Sequence, residues 1–369
     1  VIIGNPITDV SSGKFLEKYA KIFETLSNRI YIINDGAVNL KEPKYVVIPS
    51  TRYSRIIKNV RSSYSYIFSF FSFLASQIGS ALGFLKCARK VDVVIVFPIT
   101  LFLPVLIART MGKKIVLYQA QDIFSERSDS CLAAKIKFRI LLCSREILLR
   151  CVTIIVIEGY HVVNDSFREK YQSKIRVCPQ YVYDRYLINK PLDLREKRIG
   201  FIGSLTPRKG VLEFAQAIKL LSGHKDLIFV IVGDGELKYE IQSLLASEID
   251  AGYVEYLDYV DEQDFTSFLT ELKLLVLPSL SEGLPNIILE SMACGTLVLA
   301  TPVGAIPDVI IDGKTGFLMA DNQPRCIADN IIRALGSSDL EIITHNAQEL
   351  IRDEYTLQKV RDRYKSLFQ

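Results

Sequence analysis

Two glutamates eight positions apart are the residues of this chain whose type and spacing best suit a chemical role. Glu282 and Glu290 enclose Gly283 and Pro285. Ionised carboxylates accept hydrogen bonds and donate none, so they suit hydroxyl groups. Backbone N–H groups at a helix start attract phosphate, helped by the helix dipole. Phosphate between two hydroxyl-bearing rings describes a nucleotide sugar. The alternative interpretation is a pair of surface glutamates beside an ordinary loop.

A strand and a helix are needed to position these glutamates. The apolar run 274–277 predicts the strand, and residues 286–293 predict the helix. Pro285 suits the first helical position, where its missing N–H costs nothing, and Gly295 can end the helix. Glu290 then lies in the second turn. Because helical side chains lean toward the N-terminus, its carboxylate can reach a ribose diol near the phosphates.

The sequence around the two glutamates carries a family resemblance. Glu-x7-Glu at 282–290 is followed by Ser-Met-Ala-Cys-Gly-Thr-Leu-Val-Leu-Ala-Thr-Pro-Val-Gly-Ala-Ile-Pro-Asp at 291–308 and Asp-Gly-Lys-Thr-Gly-Phe-Leu at 312–318. This run closely resembles the family 4 retaining glycosyltransferases, most densely over residues 199–320. The resemblance implies an α/β protein of the GT-B fold, with two Rossmann-like doubly wound domains facing across a cleft. It also implies that the C-terminal domain binds most of the nucleotide sugar.

The resemblance extends to individual residues of the candidate site. It implies that Glu282 orients the donor sugar and that no protein nucleophile is needed. The expected mechanism is attack on the same face, with the leaving phosphate helping to deprotonate the acceptor. The other donor-binding candidates of this segment surround the helix start, and they are Gly283, Leu284, Asn286 and Ile287.

A second predicted strand–loop–helix start, residues 203–210, offers positive charge for the departing diphosphate. In the family, this loop carries an Arg after the first Gly and a Lys before the last. Lys209 matches the Lys and is expected to contact the diphosphate, beside the donor-binding candidate Gly203. Ser204 stands at the Arg position, which departs from the family pattern. Arg208 either substitutes for that Arg or faces water.

Three further donor-binding candidates lie outside these loops. Gly13 resembles a residue of the family's first loop, whose backbone approaches the diphosphate. Many family members have His-Asp after the strand equivalent to 114–118, and the His contacts the donor sugar. Gln121 stands in place of that His, and its amide can still donate a hydrogen bond. Val260 falls where the family holds the base through backbone atoms.

Length and pattern predict the domain organisation. The 369 residues suffice for two domains, and alternating strands and helices indicate α/β with parallel sheets. We predict an acceptor-binding domain at 1–185, a nucleotide-sugar-binding domain at 186–352 and a helix at 353–369 that returns to the first domain. The polar segment 184–197 is interpreted as the linker. Predicted strands are 1–3, 30–33, 45–48, 91–97, 114–118, 152–157, 174–178, 199–203, 227–232, 254–257, 274–277, 297–300 and 316–319. Predicted helices are 14–27, 100–111, 131–150, 210–221, 236–246, 262–271, 286–293, 324–335 and 355–369.

Cysteine, histidine and acidic motifs argue against a metal site and a separate cofactor. The seven cysteines and three histidines are scattered, without Cys-x-x-Cys, which favours reduced thiols in the cytosol over structural zinc. The sequence contains no Asp-x-Asp motif, so nothing in it suggests that a metal ion carries the nucleotide sugar. The donor, a UDP- or GDP-sugar, is expected to bind as substrate. No signal peptide is visible, although Val1 begins inside the first predicted strand.

Charge is divided unevenly along the chain. Residues 1–190 contain 28 Lys and Arg against 14 Asp and Glu, whereas the remainder contains 17 against 27. The basic half is expected to meet an anionic partner, either a membrane surface or a lipid-linked phosphate acceptor. Nucleic acid is not expected, because no nucleic-acid-binding motif accompanies the charge.

One segment favours lipid contact without settling it. Residues 62–85 carry no charge but contain seven serines, five of them at helical spacing. A helix lying on a membrane, or an apolar acceptor groove, fits better than a membrane-spanning helix. A buried Rossmann helix remains the alternative. Residues 135–150 predict a second, basic amphipathic helix.

The leading functional prediction is a retaining hexosyltransferase that acts on a glycan or polyprenyl-linked acceptor. One alternative is another GT-B enzyme, such as a sugar-nucleotide epimerase or a sucrose- or trehalose-type synthase. The other is a degenerate nucleotide-sugar-binding subunit, which the missing Arg and His would suit. Acceptor assays and donor binding without turnover distinguish the three.

Overall fold

The computed structural model describes residues 2–3, 17–27, 29–33, 45–48, 77–97, 102–119, 145–188 and 190–368. The chain divides into two compact units. Unit 1 comprises Val1–Ile157, Asp165–Cys178 and Tyr364–Gln369, and unit 2 comprises Glu158–Asn164 and Pro179–Arg363.

Unit 1 contains a parallel sheet whose described strands number seven, in the order β3-β2-β1-β4-β5-β6-β7. Its elements are β1 (Ile2–Ile3), α1 (17–22), β2 (Ile30–Ile33), β3 (Tyr45–Ile48), α2 (77–87), β4 (Val93–Val96), α3 (Phe102–Thr110), β5 (Lys114–Gln119), α4 (145–151), β6 (Ile154–Ile157), α5 (Asp165–Tyr171) and β7 (Ile175–Val177). The central strands are nearly continuous apolar runs, as expected of a sheet covered on both faces.

Aromatic side chains fill one part of the core of unit 1. Tyr19, Phe97 and Tyr118 make edge-on or tilted ring contacts with centroids 4.7 to 5.1 Å apart. Tyr364, near the end of the chain, packs edge-on against Tyr19 and Phe23 and is fully buried. The last residues of the chain therefore belong to the core of unit 1.

Unit 2 contains a second parallel sheet, ordered β10-β9-β8-β11-β12-β13. Its elements are β8 (Arg198–Ile202), α6 (Val211–Leu220), β9 (Ile228–Val232), α7 (Lys238–Leu244), α8 (Ala246–Asp250), β10 (Val254–Leu257), α9 (Phe265–Glu271), β11 (Leu274–Leu277), α10 (Asn286–Ala293), β12 (Leu297–Ala300), α11 (Ile306–Val309), β13 (Phe317–Leu318), α12 (Pro324–Leu335) and α13 (Leu340–Glu354). A final helix, α14 (Leu357–Phe368), begins in unit 2 and ends in unit 1. Aliphatic residues of the strands, α6 and α12 form one core in unit 2.

The segment interpreted as a polar linker, 184–197, is partly buried in unit 2. Tyr186 and Leu192 are 3% and 2% exposed. Arg195 is also buried, and its guanidinium donates to the carbonyls of Lys190, Leu272 and Cys294 and to the Thr296 hydroxyl, at 2.7 to 2.9 Å. The interpretation as a polar linker was wrong for these residues, because they are buried within unit 2. Arg195 tolerates burial because its guanidinium has four hydrogen-bond acceptors.

Candidate donor site

The carboxyl ends of β8 and β11 meet in the middle of the sheet of unit 2. β8 pairs with β9 on one side and with β11 on the other, so the winding of the sheet reverses between β8 and β11. In open parallel sheets, ligands bind beyond the carboxyl ends of the strands at such a point. Residues 203–210 and 278–285, the two loops singled out in the sequence, follow these two strands.

The first loop packs its backbone directly against the second. Pro207–Lys209 form one 3₁₀ turn, and Gly210 then adopts a left-handed conformation, φ +67°, before α6 begins. A Cβ at Gly210 would lie 2.0 Å from the carbonyl oxygen of Pro278, which no side chain can satisfy. The Leu280 N–H also donates to the Arg208 carbonyl at 2.8 Å. Both loops therefore depend on glycine at position 210.

The two site residues with opposite charge are in direct contact. The Nζ of Lys209 lies 2.5 Å from the Oε1 of Glu282, and Glu282 is only 8% exposed. Water screens a partly buried pair less than a surface pair. The fold thus joins the cation predicted to contact the diphosphate and the carboxylate predicted to orient the sugar.

Hydrogen bonds to two of its backbone carbonyls hold the second loop in place. The Arg208 side chain is exposed, and its Nη1 donates to the Ser281 carbonyl at 2.8 Å. The Ala305 N–H donates to the Gly283 carbonyl at 2.9 Å. Arg208 therefore stabilises the loop that carries Glu282. The sequence did not indicate this hydrogen bond.

Glu290 lies in the second turn of α10, half-buried. Burial and the nearby Glu290 carboxylate raise the pKa of Tyr186 to about 12. Burial, with a smaller contribution from the same carboxylate, raises the pKa of Cys294 to about 12. Both neighbours are therefore neutral at physiological pH. α10 has the predicted bounds, but Pro285 is its N-cap, with an extended ψ of 126°, and not its first helical residue.

The backbone N–H of Leu284, predicted to bind the donor, contacts a residue that the sequence analysis did not single out. It donates to Oε2 of Glu158 at 2.9 Å, and Glu158 is 6% exposed. Glu158 directly follows the apolar strand β6. A carboxylate at the carboxyl end of a parallel strand was the available signal, but its partner lies 126 positions away.

The remaining candidates are placed as follows. Gly203 and Val260 follow β8 and β10, and the N–H of Gly203 donates to the Val232 carbonyl at 3.0 Å. Ser204 and Asn286 are exposed, whereas Ile287 is half-buried. The candidates Gly13 and Gln121 lie outside the described residues. Among the residues that are described, no group of three or more His, Cys, Asp and Glu side chains could hold a metal ion.

Two parallel Rossmann-like sheets in one chain, with paired loops at the switch point of the second, define the GT-B fold of glycosyltransferases. Over the whole chain, the fold matches the crystal structure of HepE from Anabaena in complex with UDP, with a TM-score of 0.75. The match covers 98% of the HepE chain at 12% identity, so it shows the fold alone. The predicted fold class is confirmed.

Sequence comparison shows similarity to known glycosyltransferases over part of the chain. Residues 196–337 match the sequence model described as glycosyl transferases group 1. An uncharacterized glycosyltransferase from Methanocaldococcus jannaschii is 32% identical over 140 residues, 38% of either chain. The UDP-Gal:alpha-D-GlcNAc-diphosphoundecaprenol alpha-1,3-galactosyltransferase of Escherichia coli is 28% identical over 193 residues, 49% of either chain.

The match to the glycosyl transferases group 1 covers less than half of this chain, within unit 2. The alignments span half or less of the length of these two curated relatives. The family match, residues 196–337, includes the loops after β8 and β11.

Proposed function

We propose that this protein is a retaining glycosyltransferase that moves a hexose from a UDP- or GDP-sugar to a glycan or lipid-linked acceptor. The observation that carries the proposal is the contact between Lys209 and Glu282 at the switch point of the unit 2 sheet. A cation and a buried carboxylate in one place provide for the two parts of a nucleotide sugar, the diphosphate and the sugar hydroxyls.

Glu290 supplies the third part of this donor site. Its carboxylate is an acceptor in the second turn of α10, whose first residue is Asn286. The ribose hydroxyls are the groups it suits, with Val260 beyond β10 as the residue nearest the base. The Escherichia coli relative is named for UDP-galactose and a diphosphoundecaprenol acceptor. This name supports the same donor and acceptor classes here.

The proposed reaction exchanges one bond at the anomeric carbon. The acceptor oxygen forms a bond to that carbon on the face from which the diphosphate departs. The carbon–phosphate oxygen bond breaks, and the acceptor proton passes to the leaving diphosphate. Lys209 neutralises charge that develops on the leaving group, which typically contributes about 3 kcal/mol or more per positioned donor. Glu282 holds the sugar hydroxyls so that the same face stays open.

The first test is a thermal-shift screen of UDP-, GDP-, ADP- and CMP-sugars against wild type and Glu290→Gln. One nucleotide class is expected to stabilise the wild type by several degrees and the variant far less. The selected donor is then incubated with glycan and polyprenyl diphosphate acceptors, and NMR reads the anomeric configuration of the product. Equal stabilisation and turnover in both proteins, or an inverted product, would contradict the proposal.

Two departures from the family pattern favour one alternative, a degenerate donor-binding subunit. Ser204 stands in the position of an Arg, and Gln121 in that of a His. Such a subunit would bind the nucleotide selected in the screen but would neither transfer nor hydrolyse its sugar. The combined binding and transfer assay separates it from an enzyme.

We further propose that α2 places unit 1 on an anionic membrane surface. This helix turns its polar residues inward, with Gln77 and Ser80 buried. Ile78, Leu82 and Leu85, spaced along one face, are 47%, 56% and 50% exposed. The exposed cations Lys86, Arg89 and Lys90 follow directly. Residues 62–76 of the charge-free segment, and 135–144 of the second predicted helix, lie outside the described residues.

An apolar face beside cations is typical of helices that lie in the interface of an anionic membrane. None of the described helices is both long and apolar enough to cross a membrane. The proposed occupant of the α2 face, argued from its exposed apolar side chains and the cations that follow them, is a lipid surface that the helix lies on, and it would bring a lipid-linked acceptor to the enzyme.

Vesicle sedimentation tests the α2 face. Replacing Ile78, Leu82 and Leu85 with Ser is expected to lower partitioning onto phosphatidylglycerol-containing vesicles by about 10-fold or more, because three apolar side chains lose their burial in the interface. The control replaces three exposed apolar residues of unit 2, Leu194, Leu220 and Ile342, with Ser. Equal partitioning of both variants, or none by the wild type, would refute the membrane proposal.

A further inference from the structure

A buried carboxylate, Glu158, holds the loop that carries Glu282. The chain leaves β6 at Ile157, and the next residue, Glu158, belongs to unit 2 together with Leu284. Oε2 of Glu158 accepts a hydrogen bond from the N–H of Leu284 at 2.9 Å, and the side chain is 6% exposed.

Close packing and hydrogen bonds to α11 fix the segment 158–161. A Cβ on Gly159 would lie 2.3 Å from Oδ2 of Asp308 and 2.5 Å from Cβ of Ala305, so the segment approaches α11 as closely as a glycine allows. The backbone N–H of His161 donates to Oδ2 of Asp308 at 3.1 Å, and its ring Nδ1 lies 2.8 Å from Oδ1. The position of Glu158 is therefore set by packing and hydrogen bonds next to it.

Both polar groups of one peptide bond are held by this arrangement. The carbonyl of Gly283 accepts from the Ala305 N–H at 2.9 Å, and the N–H of Leu284 donates to Glu158. These two atoms belong to the same peptide group, so its plane is fixed from opposite sides. That peptide follows Gly283, the residue after Glu282, and precedes the start of α10 by two residues. Fixing it restricts the backbone between Glu282 and the helix start.

We propose that Glu158 is a positioning residue of the donor site, acting through the Gly283–Leu284 peptide on Glu282 and the start of α10. This inference rests on the proposed function for its effect on a donor. Glu158 itself touches no donor in this role. The segment 158–161 instead gives the site a preorganised loop, which lowers the cost of ordering it when a nucleotide sugar binds.

The test compares Glu158→Ala with Glu158→Gln. The alanine variant loses the acceptor, so amide hydrogen exchange of Leu284 is expected to accelerate about 10-fold or more, and the donor Kd to rise about 10-fold. The glutamine side chain has the same length and keeps an acceptor oxygen. This variant is therefore expected to restore most of the exchange protection at Leu284 and most of the donor affinity. Glu169 on α5 is exposed, and Glu169→Ala is the matched control, expected to change neither quantity.

Amide exchange decides the positioning role independently of any donor. Unchanged exchange at Leu284 in Glu158→Ala would overturn the proposal, as would a failure of glutamine to restore protection. Faster exchange with an unchanged donor Kd would overturn the effect on the site. If the wild type bound no nucleotide sugar, the proposed function would fail, and the exchange result would still establish or overturn the fixing of the loop by Glu158.

Discussion

Replacing Lys209 with Met is expected to lower kcat/KM for glycosyl transfer by about 100- to 1,000-fold, the usual effect of removing one positioned stabiliser of transition-state charge. The charge on the diphosphate grows as the bond to the sugar breaks, so the loss should fall mainly on kcat. Steady-state kinetics with the donor selected by the thermal-shift screen measure it. Lys209→Arg keeps the charge and should recover part of the rate.

Lys209→Met also removes the partner of a buried carboxylate, and this second effect must be separated from the first. Glu282 is 8% exposed and 2.5 Å from Lys209, so an unpaired Glu282 destabilises unit 2. Breaking a buried pair typically costs about 3 to 5 kcal/mol. The double variant Lys209→Met with Glu282→Gln removes both charges and should regain most of that stability, while transfer stays low.

The matched control is Lys219→Met. Lys219, on α6, pairs with Glu248 at 3.0 Å but lies ten residues after Lys209, beyond the candidate loop, and is 38% exposed at its side chain. Both side chains of this pair are about twice as exposed as those of Lys209 and Glu282, so its loss should cost less stability, and turnover should stay near wild type. If Lys219→Met slowed transfer as much as Lys209→Met, general loss of charge would explain the result, and the proposed role of Lys209 would be wrong.

The strands were predictable because each is a short apolar run between turn residues. Strands 30–33, 45–48, 254–257, 274–277 and 297–300 were predicted with the bounds that the structure gives. The chain pairs them in two parallel sheets. β2, β11 and β12 are fully buried and carry a strong apolar signal, whereas the edge strands β3 and β10 are only partly buried. Helix ends were less accurate, since capping involves only a few residues.

Several helices gave too weak a signal to be predicted. α5, α8 and α11 have seven, five and four residues, too few for a clear apolar period. α13 is different, because it has 15 residues and ends next to α14. Polar side chains dilute its apolar face, and the sequence analysis did not separate it from its surroundings.

The loops of the candidate site were predictable because their residues are close in sequence. Glu282 and Glu290 share one strand–loop–helix unit, and Lys209 lies in another. The contact between Lys209 and Glu282 could also be expected, since both loops lie at the carboxyl edge of one sheet. Local sequence thus located the candidate donor site.

Contacts between distant segments could not be predicted from a single sequence. Glu158 meets Leu284 across 126 positions, and Arg195 meets Cys294 across 99. Neither side chain carries a local motif, and a lone acidic or basic residue is most often exposed. Burial of these two charges is a consequence of the tertiary fold, so only the structure reveals it.

Replacing Arg195 with Met is expected to destabilise unit 2 by about 3 to 5 kcal/mol, because buried acceptors then lose their donor. The guanidinium links the segment before β8 to the residues on either side of β11 and α10, through Leu272, Cys294 and Thr296. Burial lowers the pKa of Arg195 to about 10, so the side chain remains charged at neutral pH. Unfolding free energy between about pH 6 and 8 should therefore carry no pH dependence from this group.

Urea unfolding of the full chain measures this effect, with Arg333→Met as the matched control. Arg333 makes four hydrogen bonds, two to Asp312, one to the Leu318 carbonyl and one to Asn330, but its side chain is 43% exposed, so its loss should cost about 1 kcal/mol or less. Arg195→Lys should fall between the two, since one ammonium cannot span four separated acceptors. If Arg195→Met and Arg333→Met lowered the unfolding free energy equally, the four hydrogen bonds of the buried guanidinium would stabilise unit 2 no more than a surface ion pair does. Water would then replace the guanidinium at these acceptors in the variant.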